Sequence, residues 1–282
     1  MPSSWDALEP NHCRPGENLL SAGIVRLTEP QFYALVEDKL DGAGPCKISV
    51  DLPISALAAT SVVPNARILM AELERGAAKL TARGNLNRKF VETLAERFHW
   101  HGFEAANIRS VCKVLNEQDF LPAMYLHAVL RLAGLLHHQK GQVRLTERGK
   151  ALLPEQQAGR LQAALFRTTF ARYNPAYLDR FDMPEVFAPQ ISLILYLIGQ
   201  FCTDWRPAGA LMRSVTFPIK ELTEPKYPKL PEVAFEARVL AYLRWFGLME
   251  RRQDAANDDW SQPHLYRKTE LYDRMLRFVE PR

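Results

Sequence analysis

The chain has 282 residues, 47% of them apolar and 24% charged, and its formal net charge of +4 is too small by itself to identify a nucleic-acid-binding protein. The longest nearly continuous apolar run, Ile191 to Cys202, falls short of the roughly 20 residues that cross a bilayer, so no membrane segment is expected. The N-terminus lacks the basic start and apolar core of a secretory signal. Four cysteines lie far apart without a CxxC pair, which indicates reduced thiols in a cytoplasmic protein and no structural zinc.

Residues 1–65 are predicted to form an N-terminal extension with helical and strand segments. Thr28 and Gln31 occupy the positions of a capping box, and the apolar stripe that follows predicts a helix ending at Gly42. The alternating stretch CKISVDLP predicts a short strand. Asn65 is predicted to cap a further helix, PNARILMAELERG, which continues into the next segment.

Residues 66–153 are predicted to form a module of three helices and a two-stranded hairpin. The segments KLTARGNLNRKFVETLAERF, ANIRSVCKVLN and DFLPAMYLHAVLRLAGLL have the apolar spacing of helices that bury one face or nearly every face. Two predicted strands follow, Leu135–Gln139 and Gln142–Thr146. Lys140 and Gly141 join them, because glycine adopts the positive φ of a tight hairpin turn at little cost.

The same order of elements recurs near the C-terminus. Residues 154–189 are predicted to be a helical connector rich in aromatic residues, and residues 190–282 a second module with its own three helices and a longer hairpin. Gly134 and Gly247 hold equivalent places, each at the exit from the third helix of its module. The predicted fold class is therefore mainly α, with two related modules.

The combination KLTARGNLNRKFV followed by LRLAGLLHHQKGQVRLTERGKALL resembles the winged-helix module of uncharacterised bacterial proteins, among them plasmid ORF-3-like and SEC-C-associated proteins. The resemblance covers roughly residues 66–280 and is stronger in the first module. This chain lacks the SEC-C cysteine motif, since no cysteine follows Cys202. The resemblance implies tandem winged-helix modules (helix-turn-helix plus β-wing) and DNA binding. It supplies no catalytic residue, because fold alone does not fix function.

Catalytic motifs are absent from the sequence. It contains no Gly-rich phosphate loop, GxSxG or HExxH. The histidine pairs His99/His101 and His137/His138 lack further convergent ligands, so we interpret them as surface or packing residues. The sequence therefore predicts a non-enzymatic protein without metal, cofactor or small-molecule ligand.

DNA contact through backbone charge is the first functional hypothesis. In the third helix of the first module, only His127 and Arg131 are placed to read bases, so contacts with phosphates are favoured. The candidate nucleic-acid-binding residues are cations at one helix start, on the following helix and on the first wing: Lys79, Arg83, Arg88, Lys89, Arg109, Lys113, Lys140 and Arg144. They predict salt-sensitive binding with little sequence preference.

A protein-interaction scaffold is the alternative hypothesis. The second hairpin carries Asp254, Asp258, Asp259 and Trp260, and an acidic loop with a tryptophan is typical of a protein-binding anchor rather than a phosphate contact. The apolar third helices, with Met124, Tyr125, Tyr242 and Trp245, would supply further contact area. A protein partner or a homo-oligomer would then take the place of DNA.

Overall fold

The computed structural model describes residues 27–111, 113–179, 181–252 and 264–279. These residues are mostly helical, with three small antiparallel sheets. The chain divides into two compact units. We call Ser49–Asn174 with Trp245–Gly247 the central unit, and Met1–Ile48 with Pro175–Arg244 and Leu248–Arg282 the terminal unit.

The central unit begins with two helices, continues through a short strand and three further helices to a hairpin, and closes with two helices. Its elements in chain order are α2 (Ile54–Leu57), α3 (Val62–Arg75), β2 (Ala78–Lys79), α4 (Arg88–Arg97), α5 (Ala105–Val111), α6 (Leu121–Leu132), β3 (Leu136–Gln139), β4 (Gln142–Leu145), α7 (Glu147–Leu152) and α8 (Ala158–Ala171). A 3-10 turn, Glu117–Asp119, precedes α6. The unit is longer than the predicted module 66–153, since it also contains the residues before α3 and the whole of α8.

The core of the central unit gathers aromatic rings around Tyr125. This side chain is fully buried, and its ring packs against Trp100 and Trp245 at centroid distances of 6.1 and 5.2 Å. Its hydroxyl lies 2.7 Å from the hydroxyl of Thr169. Tyr125 therefore belongs to the core and does not lie on the surface that the scaffold hypothesis requires. Tyr242, in the terminal unit, is also buried.

The terminal unit combines the first described helix with the C-terminal part of the chain. Its elements are α1 (Glu29–Val36), β1 (Cys46–Ile48), α9 (Ala176–Asp179), α10 (Ile191–Phe201), β5 (Arg206–Pro207), α11 (Ala208–Val215), α12 (Lys220–Thr223), α13 (Leu230–Phe235), α14 (Ala241–Trp245), β6 (Met249–Arg252), β7 (Leu265–Lys268), α15 (Glu270–Met275) and β8 (Leu276–Phe278). A π-helical turn, Glu236–Leu240, joins α13 to α14. Trp245 itself is counted with the central unit.

Asp38 ties α1 to the rest of the terminal unit. Its carboxylate accepts hydrogen bonds from the backbone N–H groups of Leu40 and Cys46, both at 2.8 Å, and from the Ser192 hydroxyl at 3.0 Å. The predicted capping box of Thr28 and Gln31 is confirmed, but the predicted helix end at Gly42 is wrong. The helix ends at Val36 because the Asp38 side chain binds the backbone ahead of it, where Leu40 takes a φ of 56°.

The two units repeat one order of elements. In each, a helix, a two-residue strand, further helices and a hairpin follow one another, and the short strand pairs with the second hairpin strand: the sheet orders are β2-β4-β3 and β5-β7-β6. Gly134 and Gly247 both have positive φ, 72° and 75°, after the helix that precedes the hairpin. The sequence predicted this internal equivalence from local spacing.

The side chain of Asn65 does not have the capping role that the sequence predicts. Asn65 does not cap a helix, because α3 begins at Val62 and Asn65 is buried within it. Its side chain donates to the carbonyls of Ser61 and His99 and accepts from the His99 N–H at 2.8 Å. Asn65 therefore joins α3 to the segment after α4, which a reading based on local capping cannot detect.

Candidate nucleic-acid interface

One face of the central unit's sheet carries two of the predicted cations. Lys79 on β2 lies opposite Gln142 on β4, and His137 on β3 lies opposite Arg144. Directly opposed residues share a face, and so do residues two apart on one strand. Lys79, Gln142, Arg144 and His137 therefore lie on one face. Lys79 and Arg144 are exposed, and the Arg144 guanidinium donates to the Gln142 side-chain oxygen at 2.7 Å.

The hairpin turn places a third cation at the edge of this face. Lys140 and Gly141 both have positive φ, 49° and 71°, as in the two-residue turns that match the twist of a hairpin. Lys140 is exposed at the tip. The N–H of Leu80 donates to the Gly141 carbonyl at 2.8 Å, so the tip lies beside the end of β2.

The N-terminus of α4 brings two further cations to the same strand. Asn87 caps the helix by accepting from the Phe90 N–H, and its amide also donates to the Lys79 carbonyl at 2.8 Å. Arg88 and Lys89, both exposed, are therefore held next to β2. Cations at a helix N-terminus oppose the helix dipole and cost about 0.3–1 kcal/mol each, and the first turn of α4 contains no acid. The presence of Arg88 and Lys89 at this position is therefore not explained by a contribution to the stability of α4.

The structure brings six of the eight predicted cations onto segments bonded to one sheet. Arg83 is the sixth, exposed on the turn that Gly84 closes by donating to the Thr81 carbonyl. We call Lys79, Arg83, Arg88, Lys89, Lys140 and Arg144 the basic surface. Arg109 differs, because its guanidinium pairs with Glu96 at 2.8 Å. Lys113 is exposed after α5, and no described hydrogen bond ties it to the sheet.

Beneath this surface lies a chain of buried polar side chains that the sequence did not predict. The Glu117 carboxylate accepts from the Leu86 N–H and lies 2.6 Å from Nδ1 of His127. Nε2 of His127 lies 2.8 Å from Nε2 of His138 on β3. Glu117 and His127 are 4% and 6% exposed. His127 therefore does not face outward on α6, and the interpretation of it as a base-reading position is wrong.

The hydrogen bonds among Glu117, His127 and His138 connect the segments that carry the basic surface. Leu86 immediately precedes the cap of α4, His127 belongs to α6, and His138 belongs to β3 of the hairpin. In a neutral His138 the Nε2–H group can donate a hydrogen bond to Nε2 of His127. The Nδ1–H group of His127 then donates a hydrogen bond to the Glu117 carboxylate. Among the described residues, no group of three or more such side chains is arranged to hold a metal ion, so we interpret the two imidazoles as a hydrogen-bonded pair.

The pKa of His138 is lowered from its ordinary value of 6.5, first by burial and then by the neighbouring His127 and Arg131. Glu117 raises this pKa, and His137 lowers it by a smaller amount. A lowered histidine pKa means that the unfolded chain binds the proton more readily. The contribution of His138 to stability is therefore complete above pH 6.5 and is lost as the pH falls from there towards the folded-state pKa.

We expect His138→Gln to reduce the pH dependence of stability. Glutamine keeps a donor for His127 but does not titrate. Urea unfolding at about pH 7.5 and about pH 5.5 should show a smaller loss of unfolding free energy on acidification in the variant than in the wild type. Equal losses in the two proteins would contradict the assignment of a lowered pKa to this imidazole.

The predicted partner-binding residues Asp254, Asp258, Asp259 and Trp260 lie outside the described residues. Two residues that hold parts of the basic surface in place, the capping residue Asn87 and the acid Glu117, were not predicted from the sequence. Asn87 had a local signal, since a cap-type residue precedes the basic helix start. Glu117 had none, because its partners are 31 and 10 residues away in the chain.

Helices long and apolar enough to span a bilayer are absent from the described part of the chain.

The family model described as the Y4jL N-terminal domain matches residues 58–160. This range includes the whole basic surface and most of the central unit. A curated relative, "Uncharacterized protein y4jL" of Sinorhizobium fredii (strain NBRC 101917 / NGR234), is 39% identical over 84 residues. That match covers 30% of this chain and 38% of the relative. No solved structure shows a significant match to the chain. The chain is thus similar, over most of its central unit, to this domain family.

Proposed function

We propose that each unit contains a winged-helix module and that the protein binds duplex DNA through the basic surface of the central unit. The proposal is for non-enzymatic binding by backbone charge, with little sequence preference. One observation carries it: six exposed cations lie on a wing, its tip, the adjoining strand and a helix start that are all bonded to one sheet.

The repeated order of elements supports the winged-helix assignment. In both units a short first strand pairs with the second strand of a hairpin that follows a helix. After each hairpin, the N–H of a threonine, Thr146 or Thr269, donates to a carbonyl at the start of the hairpin, Leu135 or Leu248, at 3.0 Å. In winged-helix proteins the wing is expected to touch the DNA backbone. The cytoplasmic location that the four widely spaced cysteines predict belongs to this proposal.

The outer face of α6 supports backbone contact over base reading. His127 is buried against Glu117, which leaves Arg131 as the exposed long polar side chain of this helix. Sequence reading needs several side chains with matched donors and acceptors in the major groove. The cations of the basic surface instead suit phosphate oxygens, which carry no sequence information.

The experiment compares two charge-matched triple variants in duplex binding. Lys79, Lys140 and Arg144 are replaced by alanine in one protein; in the control, alanine replaces Arg160, Arg213 and Arg277, which are exposed outside the basic surface. The dissociation constant is measured by fluorescence anisotropy at several salt concentrations. The slope of log K against log [salt] should become shallower by about 0.9 for each phosphate that the first variant no longer binds.

The control variant should keep nearly the wild-type slope, and the effect should be the same for two duplexes of unrelated sequence. Equal losses of affinity in the two variants would mean that only net charge matters and would contradict the assignment to this surface. Loss of binding to one duplex alone would contradict backbone recognition.

A further inference from the structure

The three-stranded sheet of the terminal unit is also rich in cations. The ten residues of β5, β6 and β7 include one acid, Glu250, against five cations: Arg206, Arg251, Arg252, Arg267 and Lys268. Such an excess of one charge on a small sheet is self-repelling, so folding alone does not favour it. The neighbouring Arg244 shows this repulsion: burial first, and then Arg251, lower the pKa of its guanidinium.

Within this sheet, two arginines share one tryptophan. The guanidinium carbons of Arg252 and Arg267 lie 4.5 and 4.7 Å from the ring centroid of Trp205. The strand register explains why Arg267 contacts Trp205. Arg206 pairs with Tyr266, and this pairing places Trp205 across from Arg267. Arg252 pairs with Leu265, two residues from Arg267 on β7, and so lies on the same face. We call Trp205, Arg252 and Arg267 the arginine–tryptophan cluster.

The cluster is partly exposed to solvent. Arg252 is exposed, the Arg267 side chain is 42% exposed and Trp205 is half-buried. A guanidinium over an aromatic ring can contact the ring through its face and donate hydrogen bonds through the N–H groups at its edge. Arg267 uses one of them to bind Glu250 at 2.8 Å. Among the described residues, no carboxylate pairs with Arg252.

Planar donors beside an aromatic ring suit a ligand that combines an anion with a flat ring. The guanidinium edges match phosphate oxygens with two parallel hydrogen bonds. The indole and the guanidinium faces suit stacking with a base. In a duplex the faces of the bases are already stacked within the helix, so the ligand that offers both groups is an unpaired strand.

We propose that the arginine–tryptophan cluster is a binding site for single-stranded nucleic acid, separate from the basic surface that is assigned to duplex DNA. Phosphates bind the edges of Arg252 and Arg267, and a base stacks against the layer of Trp205 and its two guanidinium groups. The site does not depend on the duplex proposal, since none of its residues belongs to the basic surface.

The test measures binding of a fluorescein-labelled oligothymidylate of about 12 nucleotides to the full chain by fluorescence anisotropy. The double variant R252K/R267K keeps both charges but loses the planar groups. We expect it to bind the strand at least about fivefold more weakly than the wild type, and W205A to bind it about 5- to 100-fold more weakly, the range expected when one base no longer stacks. The control R213K/R277K alters two exposed arginines outside the cluster and should bind as the wild type does.

Two comparisons separate this site from the duplex site. R252K/R267K should keep wild-type affinity for duplex DNA, and the alanine variant at Lys79, Lys140 and Arg144 should keep most of its affinity for the single strand. Wild-type single-strand binding by R252K/R267K and by W205A would overturn the proposal. So would equal weakening in R213K/R277K. Circular dichroism of each variant establishes that it is folded.

Discussion

Replacement of Arg238 by methionine is expected to lower the free energy of unfolding by about 3–5 kcal/mol. The Arg238 side chain is fully buried in the terminal unit. Its guanidinium binds both carboxylate oxygens of Asp179 and donates to the carbonyls of Met183 and Pro184 at 3.0 and 2.7 Å. The Glu185 carboxylate lies 3.6 Å away. Methionine fills much of the volume but leaves a buried carboxylate and two carbonyls without their donor.

A surface ion pair of the same unit provides the control for Arg238. Lys226 pairs with Asp182, and both side chains are more than half exposed. Lys226→Met should leave the unfolding free energy nearly unchanged, because water replaces the missing ammonium group around Asp182. Urea denaturation followed by circular dichroism measures both variants. Similar values for the two would contradict the role that we assign to the buried guanidinium.

The second large effect is expected for Glu117→Ala, at roughly 2–4 kcal/mol of unfolding free energy. Alanine removes the acceptor for the Leu86 N–H and for His127, and both groups remain away from water. Since Leu86 precedes the cap of α4, the same change should also weaken duplex DNA binding by loosening the helix start that carries Arg88 and Lys89.

Two further variants test this account of Glu117. Glu117→Gln keeps one side-chain acceptor and should recover part of the stability. Glu96→Ala removes an exposed acid that pairs with Arg109, and it should cost less than about 1 kcal/mol. If Glu117→Ala unfolds at the same urea concentration as the wild type, the hydrogen bonds of Glu117 do not hold the start of α4, α6 and the hairpin together.

Local features of this fold could be predicted from sequence. The capping box of Thr28 and Gln31 and the hairpin turn at Lys140 and Gly141 depend on residues within a few positions of one another. The exposure of the eight predicted cations also follows from their type, since long charged side chains rarely lose water without a partner.

Features that depend on distant partners could not be predicted. β1 was predicted as a strand, but nothing local indicates that Cys46 pairs with Phe278 on β8. His127 was interpreted as outward-facing because a polar residue in an apolar helix usually lies at the surface. It is buried instead, because the acid that satisfies it, Glu117, comes from another segment, and Arg238 is likewise buried against Asp179.

Binding of the unmodified chain to duplex DNA at low salt tests the central claim most directly. At about 150 mM salt we expect two labelled duplexes of unrelated sequence to bind with similar dissociation constants, within the range of roughly 10⁻⁶ to 10⁻⁴ M that is typical of non-specific binding, and at about 50 mM salt we expect both to bind more tightly. The affinity should fall linearly with salt on logarithmic axes. Absence of binding to either duplex at the lower salt concentration would contradict the assignment of the basic surface to DNA and would favour a protein partner instead.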